Sequence, residues 1–312
     1  MIPDRYSVII DGQKIALDTT ELPIGLKITK DLTPLKVLKC LRKLERPWNL
    51  ISDLTPLAEL KQLMTLDLSS NRIIDLTPLS NLTQLKKLTL NQNQIMDLTP
   101  LTSLTQLKVL CLSENQVFDL SPLKDLKLLA FLDLSYNPIT DLSPLTALTR
   151  VTDLRLSNIQ ITDLSFLADM KQLRGLHLSG CQIATLPPLA GLTQLEWLTL
   201  SDNCISDLTP LAGLPRVHTL YLNNNQITDL SPLTSIPKLS ELLLEHNTIT
   251  DLAPLNNLTC LHRLYLEDNP ITDLAPLIDM PMLRELIIRD CPIQKHSLTA
   301  FRMARPDCYV EL

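Results

Sequence analysis

A chain of 312 residues with 45% hydrophobic residues would ordinarily fold as about two globular domains, and a net charge of −6 with no basic run excludes a nucleic-acid or anionic-membrane binder. No stretch approaches the roughly 20 apolar residues needed to cross a bilayer, and residues 1–30 carry charges throughout with no apolar run of signal-peptide length, so a protein without a secretory leader is expected. The seven cysteines (Cys40, Cys111, Cys181, Cys204, Cys260, Cys291 and Cys308) are odd in number and form no Cys-x-x-Cys pair, which points to reduced thiols and a cytoplasmic location.

In chain order, residues 7–17 come first. Apolar residues alternate on either side of Asp11-Gly12, a turn signal, and predict a β-hairpin. We assign residues 1–19 to an N-terminal cap on this basis. A pentapeptide Asp-Leu-Thr/Ser/Ala-Pro-Leu then recurs every 22 residues without insertion. It starts at Asp31, Asp53, Asp75, Asp97, Asp119, Asp141, Asp163, Thr185, Asp207, Asp229, Asp251 and Asp273, with Phe166 for proline in one copy and Thr185 for aspartate in another. A fixed period of this length predicts a solenoid, whose core grows lengthwise and escapes the size limit of a single globular domain.

Residues 63–84 form a clean unit. Leu66 and Leu68 alternate with Thr65, Asp67 and Ser69, which predicts a short strand with the leucines inward. Asn71 follows, and Asn49, Asn93, Asn115, Asn137, Asn203, Asn225, Asn247 and Asn269 stand at the same position. An amide among leucines must bond backbone groups of adjacent turns. Cys181 and Cys291 take this position as weak donors, and Ile159 cannot bond at all, so a local irregularity is expected there. Thr77 is read as an N-cap with Pro78 at the first helical position, and Leu79, Leu82 and Leu85 continue at a spacing that suits a one-turn 3-10 helix. Asp75 is placed to accept N–H groups of the turn, so its column is read as structural.

Carried through the chain, the frame puts core strand positions from Leu22 and Leu44 to Leu286, thirteen in all. Ile24 and Arg46 stand at the second strand position of the two degenerate first units, and Arg46-Pro47-Trp48 replaces the usual strand exit. Lys295 stands where the next aspartate would fall. A helix over 297–305 stopped by Pro306, then a strand over 308–310, make residues 294–312 a C-terminal cap around repeats 20–293.

The pattern L-x-x-L-x-L-x-x-N-x-I with Asp-Leu-x-Pro-Leu resembles the bacterial leucine-rich repeat proteins of the internalin type. The resemblance implies an α/β repeat solenoid, a horseshoe or arc with about thirteen parallel strands on the concave face and short 3-10 turns on the convex face. Internalins of the bacterial surface carry a signal peptide, a helical cap and a wall-anchoring tail. None of these is read here, so surface attachment and host-receptor binding are not expected to carry over. The chain is also similar to the protein phosphatase-1 regulatory subunits, from which it departs in its proline-bearing return turns.

On the concave face, the residues flanking the strand leucines are small and polar from Thr65 to Ser113. From Trp197 onward the face gathers Trp197, Tyr221, Leu243, Tyr265 and Ile287, flanked by Glu241, Glu245, Arg263, Glu267, Glu285 and Arg289. With strands about 4.8 Å apart the five apolar residues span roughly 20 Å, the scale of one recognition patch. Exposed aromatics ringed by charge predict a binding hot spot. Phe131, Asp133, Tyr136 and Arg155 form a smaller second candidate. The column Asp202, Asn224, His246, Asp268 and Asp290 is read as a solvated acidic edge, since nothing in it has the spacing of a metal motif. His177 has no activated nucleophile beside it, and six glycines leave little material for phosphate loops. The expectation is a protein that is not an enzyme, needs no cofactor, and binds a protein partner with a basic, partly apolar surface. The alternatives are a regulatory subunit or inhibitor of an enzyme and a leaderless secreted effector.

Overall fold

The computed structural model describes residues 6–22, 30–161 and 163–312. The chain divides into two compact units, Met1–Val151 and Thr152–Leu312. The first opens with strands β1 (Ser7–Ile10) and β2 (Gln13–Ala16), an antiparallel hairpin whose turn residues Asp11 and Gly12 take φ of 50° and 72°. Both central positions need positive φ in a type I′ turn, which is why Asp-Gly marks it. Ile10 and Ile15 are buried.

Five short parallel strands follow in that unit: β3 (Lys43–Glu45), β4 (Thr65–Asp67), β5 (Lys87–Thr89), β6 (Val109–Cys111) and β7 (Phe131–Asp133), each bonded to the next with a shift of 22 residues. The second unit carries β8 (Asp153–Arg155), β9 (Gly175–His177), β10 (Trp197–Thr199), β11 (Thr219–Tyr221), β12 (Glu241–Leu243), β13 (Arg263–Tyr265) and β14 (Glu285–Ile287) in the same register. It ends with helix α1 (Lys295–Ala304) and strand β15 (Tyr309–Glu311), which adds parallel to β14.

The thirteen parallel strands expected are therefore present, with one exchange at the ends. The position of Leu22 is reduced to an isolated bridge between Glu21 and Lys43, and β15 supplies the thirteenth strand; Ile24 lies outside the described residues. The helix starts two residues before the sequence placed it, at Lys295, and the last strand one residue later, at Tyr309.

The core is a stack of leucine columns. In one coil, Leu66, Leu68, Ile73, Leu76, Leu79, Leu82 and Leu85 are all buried. Each buried side chain of this size contributes about 1.5–3 kcal/mol. The return leg is the short 3-10 turn expected (Thr77–Leu79 in this coil), continued by Leu82 N–H on Leu79 O at 2.9 Å and Leu85 N–H on Leu82 O at 3.0 Å. Thr77 is not its N-cap. That place belongs to Leu76, without a side-chain bond, and the acceptor is Asp75 Oδ1, which takes the Thr77 N–H at 2.8 Å. Asp31, Asp53, Asp97, Asp141, Asp207 and Asp229 do the same for their turns.

The asparagines close each coil onto its neighbour. Asn115 Nδ2 donates to Leu90 O of the previous coil at 2.9 Å and to Leu112 O of its own at 3.0 Å, while its Oδ1 accepts the Ile95 N–H at 3.0 Å. Asn71, Asn93 and Asn137 repeat the pattern in the first unit, and Asn203, Asn225, Asn247 and Asn269 in the second. Cys181 keeps one link to the previous coil, Sγ to Leu156 O at 3.1 Å, beside a longer one to Ser179 O of its own. Ile159 is buried, and just past it a pocket of about 510 Å³ opens between Gln160, Asp163, Gln182 and Thr185.

The residue at every strand exit is left-handed, among them Ser70, Gln92, Glu114 and Tyr136 in the first unit and Asn158, Asp202, Asn224, His246, Asp268 and Asp290 in the second. Gly180 occupies this position at φ 70°, where a Cβ would lie 2.6 Å from Asn158 Oδ1. Gln182, two residues on, is also left-handed at φ 60°, in a coil where Asn is replaced by Cys181.

Two expected outcomes follow from this architecture. Asn115→Ala leaves the buried Ile95 N–H without its acceptor and takes one side-chain donor from each of Leu90 O and Leu112 O, which keep those of Asn93 and Asn137; it is expected to lower stability by about 1–3 kcal/mol in urea unfolding. Cys181→Ala, which removes one weak donor, is expected to cost less than half as much; equal losses would refute the ladder as a main support. The turn aspartates Asp75, Asp97, Asp207 and Asp229 are held below the usual carboxylate range by hydrogen bonds from Thr77, Thr99, Thr209 and Ser231. A depressed folded pKa gives stability that is present above the unfolded value near 3.9 and is lost as pH falls through the lower folded values. Thermal unfolding is expected to hold steady above about pH 5 and to fall steeply below about pH 4, and an Asp75→Asn/Asp97→Asn/Asp207→Asn variant to show a shallower fall.

Candidate functional site

In the second unit, the face of the sheet turned away from the leucine core is built row by row by the parallel register. Trp197, Thr219, Glu241, Arg263 and Glu285 are direct partners on consecutive strands, and so are Thr199, Tyr221, Leu243, Tyr265 and Ile287. The period of two in each strand turns both rows outward, while Leu198, Leu220, Leu242, Leu264 and Leu286 turn in.

The first row is electrostatically matched. Arg263 lies 3.7 Å from Glu241 and 3.3 Å from Glu285. The second row is tied to the first by its phenols: Tyr221 Oη donates to Glu241 at 3.0 Å and Tyr265 Oη to Glu285 at 2.9 Å. Both hydroxyls reach one strand ahead, so the two rings are fixed in the same attitude two strands apart. Partial burial pushes both phenol pKa values up, and the neighbouring glutamates push the same way. At the start of the patch, Trp197 is 43% exposed and meets His218 edge-on, with ring centroids 4.8 Å apart.

One member of the expected patch is displaced. Ile287 is only 7% exposed, with Glu311 of β15 opposite it in register, so the open apolar run ends at Tyr265. The third row holds Glu245, Glu267 and Arg289. Arg289 pairs with Glu311 and lies 3.9 Å from Glu267. Glu245 is partly buried and its Oε2 has no hydrogen-bond partner. Its carboxyl is pushed up first by burial and then by Glu267, against its own backbone N–H and His246. In the fourth row, Asn224 Nδ2 donates to Asp202 at 2.8 Å, and His246 Nδ1 lies 2.9 Å from Asp268, whose bond raises the imidazole pKa. Among the described residues, no three His, Cys, Asp or Glu side chains gather as a metal site, and no helix is long and apolar enough to cross a membrane.

The second candidate is divided between the units. Phe131 and Asp133 are half-buried on β7, where Asp133 Oδ1 accepts the Ser135 N–H at 3.1 Å; Tyr136 is 54% exposed at a left-handed strand exit. Arg155, in the second unit, is paired with Asp153 at 3.1 Å. Sequence reasoning missed the His218 contact with Trp197 and the condition of Glu245. The only sequence signal for the first was the 21-residue offset that places His218 beside the start of β10.

Comparison with known proteins agrees with this geometry. A leucine-rich repeat profile matches residues 154–279, and a two-copy leucine-rich repeat profile matches 61–103, 83–127, 105–147 and 127–169. An internalin of Listeria monocytogenes, InlF, is similar at 30% identity and a TM-score of 0.88, covering 96% of this chain and 89% of that one. A leucine-rich repeat protein of Leptospira interrogans is similar at 25% identity and a TM-score of 0.84, covering 94% of this chain and 75% of its own. The plant peptide hormone receptor RGFR1, solved in complex with RGF2, shares the fold at 21% identity and a TM-score of 0.70, over 85% of this chain and 46% of the receptor. No curated protein sequence gave a significant match. From the repeat profiles, and from the identity to InlF over nearly the whole of both chains, the chain belongs to the leucine-rich repeat family, in its internalin-like form.

Proposed function

We propose that this chain is a non-catalytic interaction module that binds a partner protein on the open sheet face of its second unit, through Trp197, Tyr221, Leu243 and Tyr265 with Glu241, Glu245, Arg263, Glu267 and Arg289 around them. The leucine-rich repeat fold itself implies a protein–protein interaction module, and the proposal adds the place and the chemistry of the partner.

The observation that carries it is the pair of tethered phenols, Tyr221 on Glu241 and Tyr265 on Glu285, flanking Leu243. Large rings already held in place lose little freedom when a partner docks, which is the usual character of an anchor. Acidic side chains outnumber basic ones around them, so the matching surface is basic and partly apolar rather than a phosphate backbone. The buried Ile287 contributes nothing to the contact.

No cofactor is part of this reading. Seven cysteines, none of them in a disulfide, suit a reducing cytoplasm, where we place the protein. Residues 1–19 and 294–312 are assigned as caps on repeats 20–293, on the strength of the β1–β2 hairpin at one end and α1 with β15 at the other.

Affinity capture from native lysate with quantitative mass spectrometry tests the proposal. A Tyr221→Ala/Leu243→Ala/Tyr265→Ala variant is expected to keep the wild-type cooperative unfolding and to lose about 30-fold or more in affinity for the captured protein, the scale of roughly 2 kcal/mol at a hot spot. Equal recovery on both proteins would place the working surface elsewhere.

A further inference from the structure

The charged side chains of the first and third rows on the open face of the second unit pair off, with one exception. Arg263 serves Glu241 and Glu285, Arg289 serves Glu267 and Glu311, and His246 stands against Asp268. Glu245 has no ion pair among the described residues. Its Oε2 is closed off from solvent without a hydrogen-bond partner, although the residue lies on the exposed side of the sheet. A carboxylate oxygen in that condition is unfavourable in the isolated protein, and a turn of the Glu245 carboxyl toward the open face would let an arriving donor satisfy it.

The surroundings of Glu245 say which donor fits. Leu243, the last residue of β12, precedes it by two residues on the same face. Tyr221 and Tyr265 are the direct partners of Leu243 on the two neighbouring strands. Those strands lie two spacings apart, roughly 9–10 Å, and the two rings are held by Glu241 and Glu285. A leucine between two fixed phenols is a floor for an aliphatic stem, with a carboxylate at its end. Arginine matches this arrangement better than lysine: its flat guanidinium stacks on aromatic rings and forks onto a carboxylate, and it loses less hydration on leaving water.

We propose that Glu245 seats one arginine of the partner protein, with the arginine stem lying on Leu243 between Tyr221 and Tyr265. This inference rests on the reading of the same face as the binding surface, and names the group that face recognises. It also accounts for a feature that stability does not explain, an acid placed on an aromatic patch with its cation missing.

The test is a selection from a random-peptide display library on four immobilised proteins: wild type, Glu245→Gln, Glu245→Ala and Tyr221→Ala/Tyr265→Ala. Wild type is expected to enrich peptides with an arginine beside an apolar residue. Both Glu245 variants are expected to keep the apolar preference and lose the arginine, and the double tyrosine variant to lose both. The best peptide is then titrated against wild type in two synthetic forms, where replacing its arginine by glutamine is expected to weaken binding tenfold or more and replacing it by lysine at least threefold. These peptide substitutions need no altered protein, so a folding defect in a variant cannot mask the result. Thermal unfolding of Glu245→Gln is expected at or above the wild-type temperature, since the change removes a partly buried, unmatched charge. Arginine enriched equally on wild type and Glu245→Gln, or a glutamine or lysine peptide that binds as well as the arginine form, would overturn the seat and leave the binding face standing. No enrichment on wild type above the double tyrosine variant would overturn both.

Discussion

One side-chain amide, returning every 22 residues, holds consecutive coils together at the corner where the strand ends. A parallel strand of three residues has few backbone bonds of its own, and the chain must then turn away from it inside an apolar core. The buried carbonyls and N–H groups of that corner need partners, and water is excluded. Asn115, bonded to Leu90 O, Leu112 O and the Ile95 N–H, meets that need from one atom group and links two coils in doing so. The leucine columns supply the larger free energy, but leucine contacts are non-directional and tolerate sliding. The amide fixes the register in which those columns stack, and the register in turn fixes which side chains become neighbours on the open face.

Two smaller constraints complete the coil. The left-handed residue at each strand exit lets the N–H ladder continue around the corner, as in Ser70 N–H on Asn91 O and Gln92 N–H on Ser113 O, both 2.8 Å. Non-glycine residues carry a steric penalty there of about 1–2 kcal/mol, which Asn, Asp and Gly relieve in part at Asn158, Gly180, Asp202, Asn224, Asp268 and Asp290. On the return leg the turn aspartates serve N–H groups that a 3-10 segment of three residues leaves open. The two devices divide the coil between them: one carries the chain out of the strand, the other into the turn.

Most of this was legible in the sequence because the repeat shows each physical requirement many times. Period-two leucines, a fixed asparagine and Asp-Leu-x-Pro-Leu each answer a local demand, and local demands leave marks at fixed spacing. What escaped has a common cause in partners far along the chain or beyond the repeat. Ile287 reads as one more outward residue, and is covered because β15 comes from the segment after the helix. The strand of Leu22 fades to a bridge in a unit whose sequence is already degenerate. The left-handed corner was not read, since Ser70, Gln92, Glu114 and Tyr136 are not residues that advertise positive φ. In the candidate site, the membership of the two rows followed from counting. The bonds of Tyr221 and Tyr265 to glutamates 20 residues away did not, nor did the unmatched oxygen of Glu245, because both depend on how side chains lean across strands.

The uninterrupted 22-residue register makes the open face a ruled surface, on which distance along the sheet is proportional to position in the chain. A gain or loss of one residue in such a chain breaks a coil, whereas the gain or loss of 22 removes or inserts a complete row and lets the amide ladder rejoin. Evolution by unequal crossing-over can therefore lengthen or shorten the distance between Trp197 and the tyrosine pair in steps of about 4.8 Å. The unit of change in the gene then coincides with the unit of spacing on the surface, and a partner's footprint can be followed by recombination as well as by point mutation.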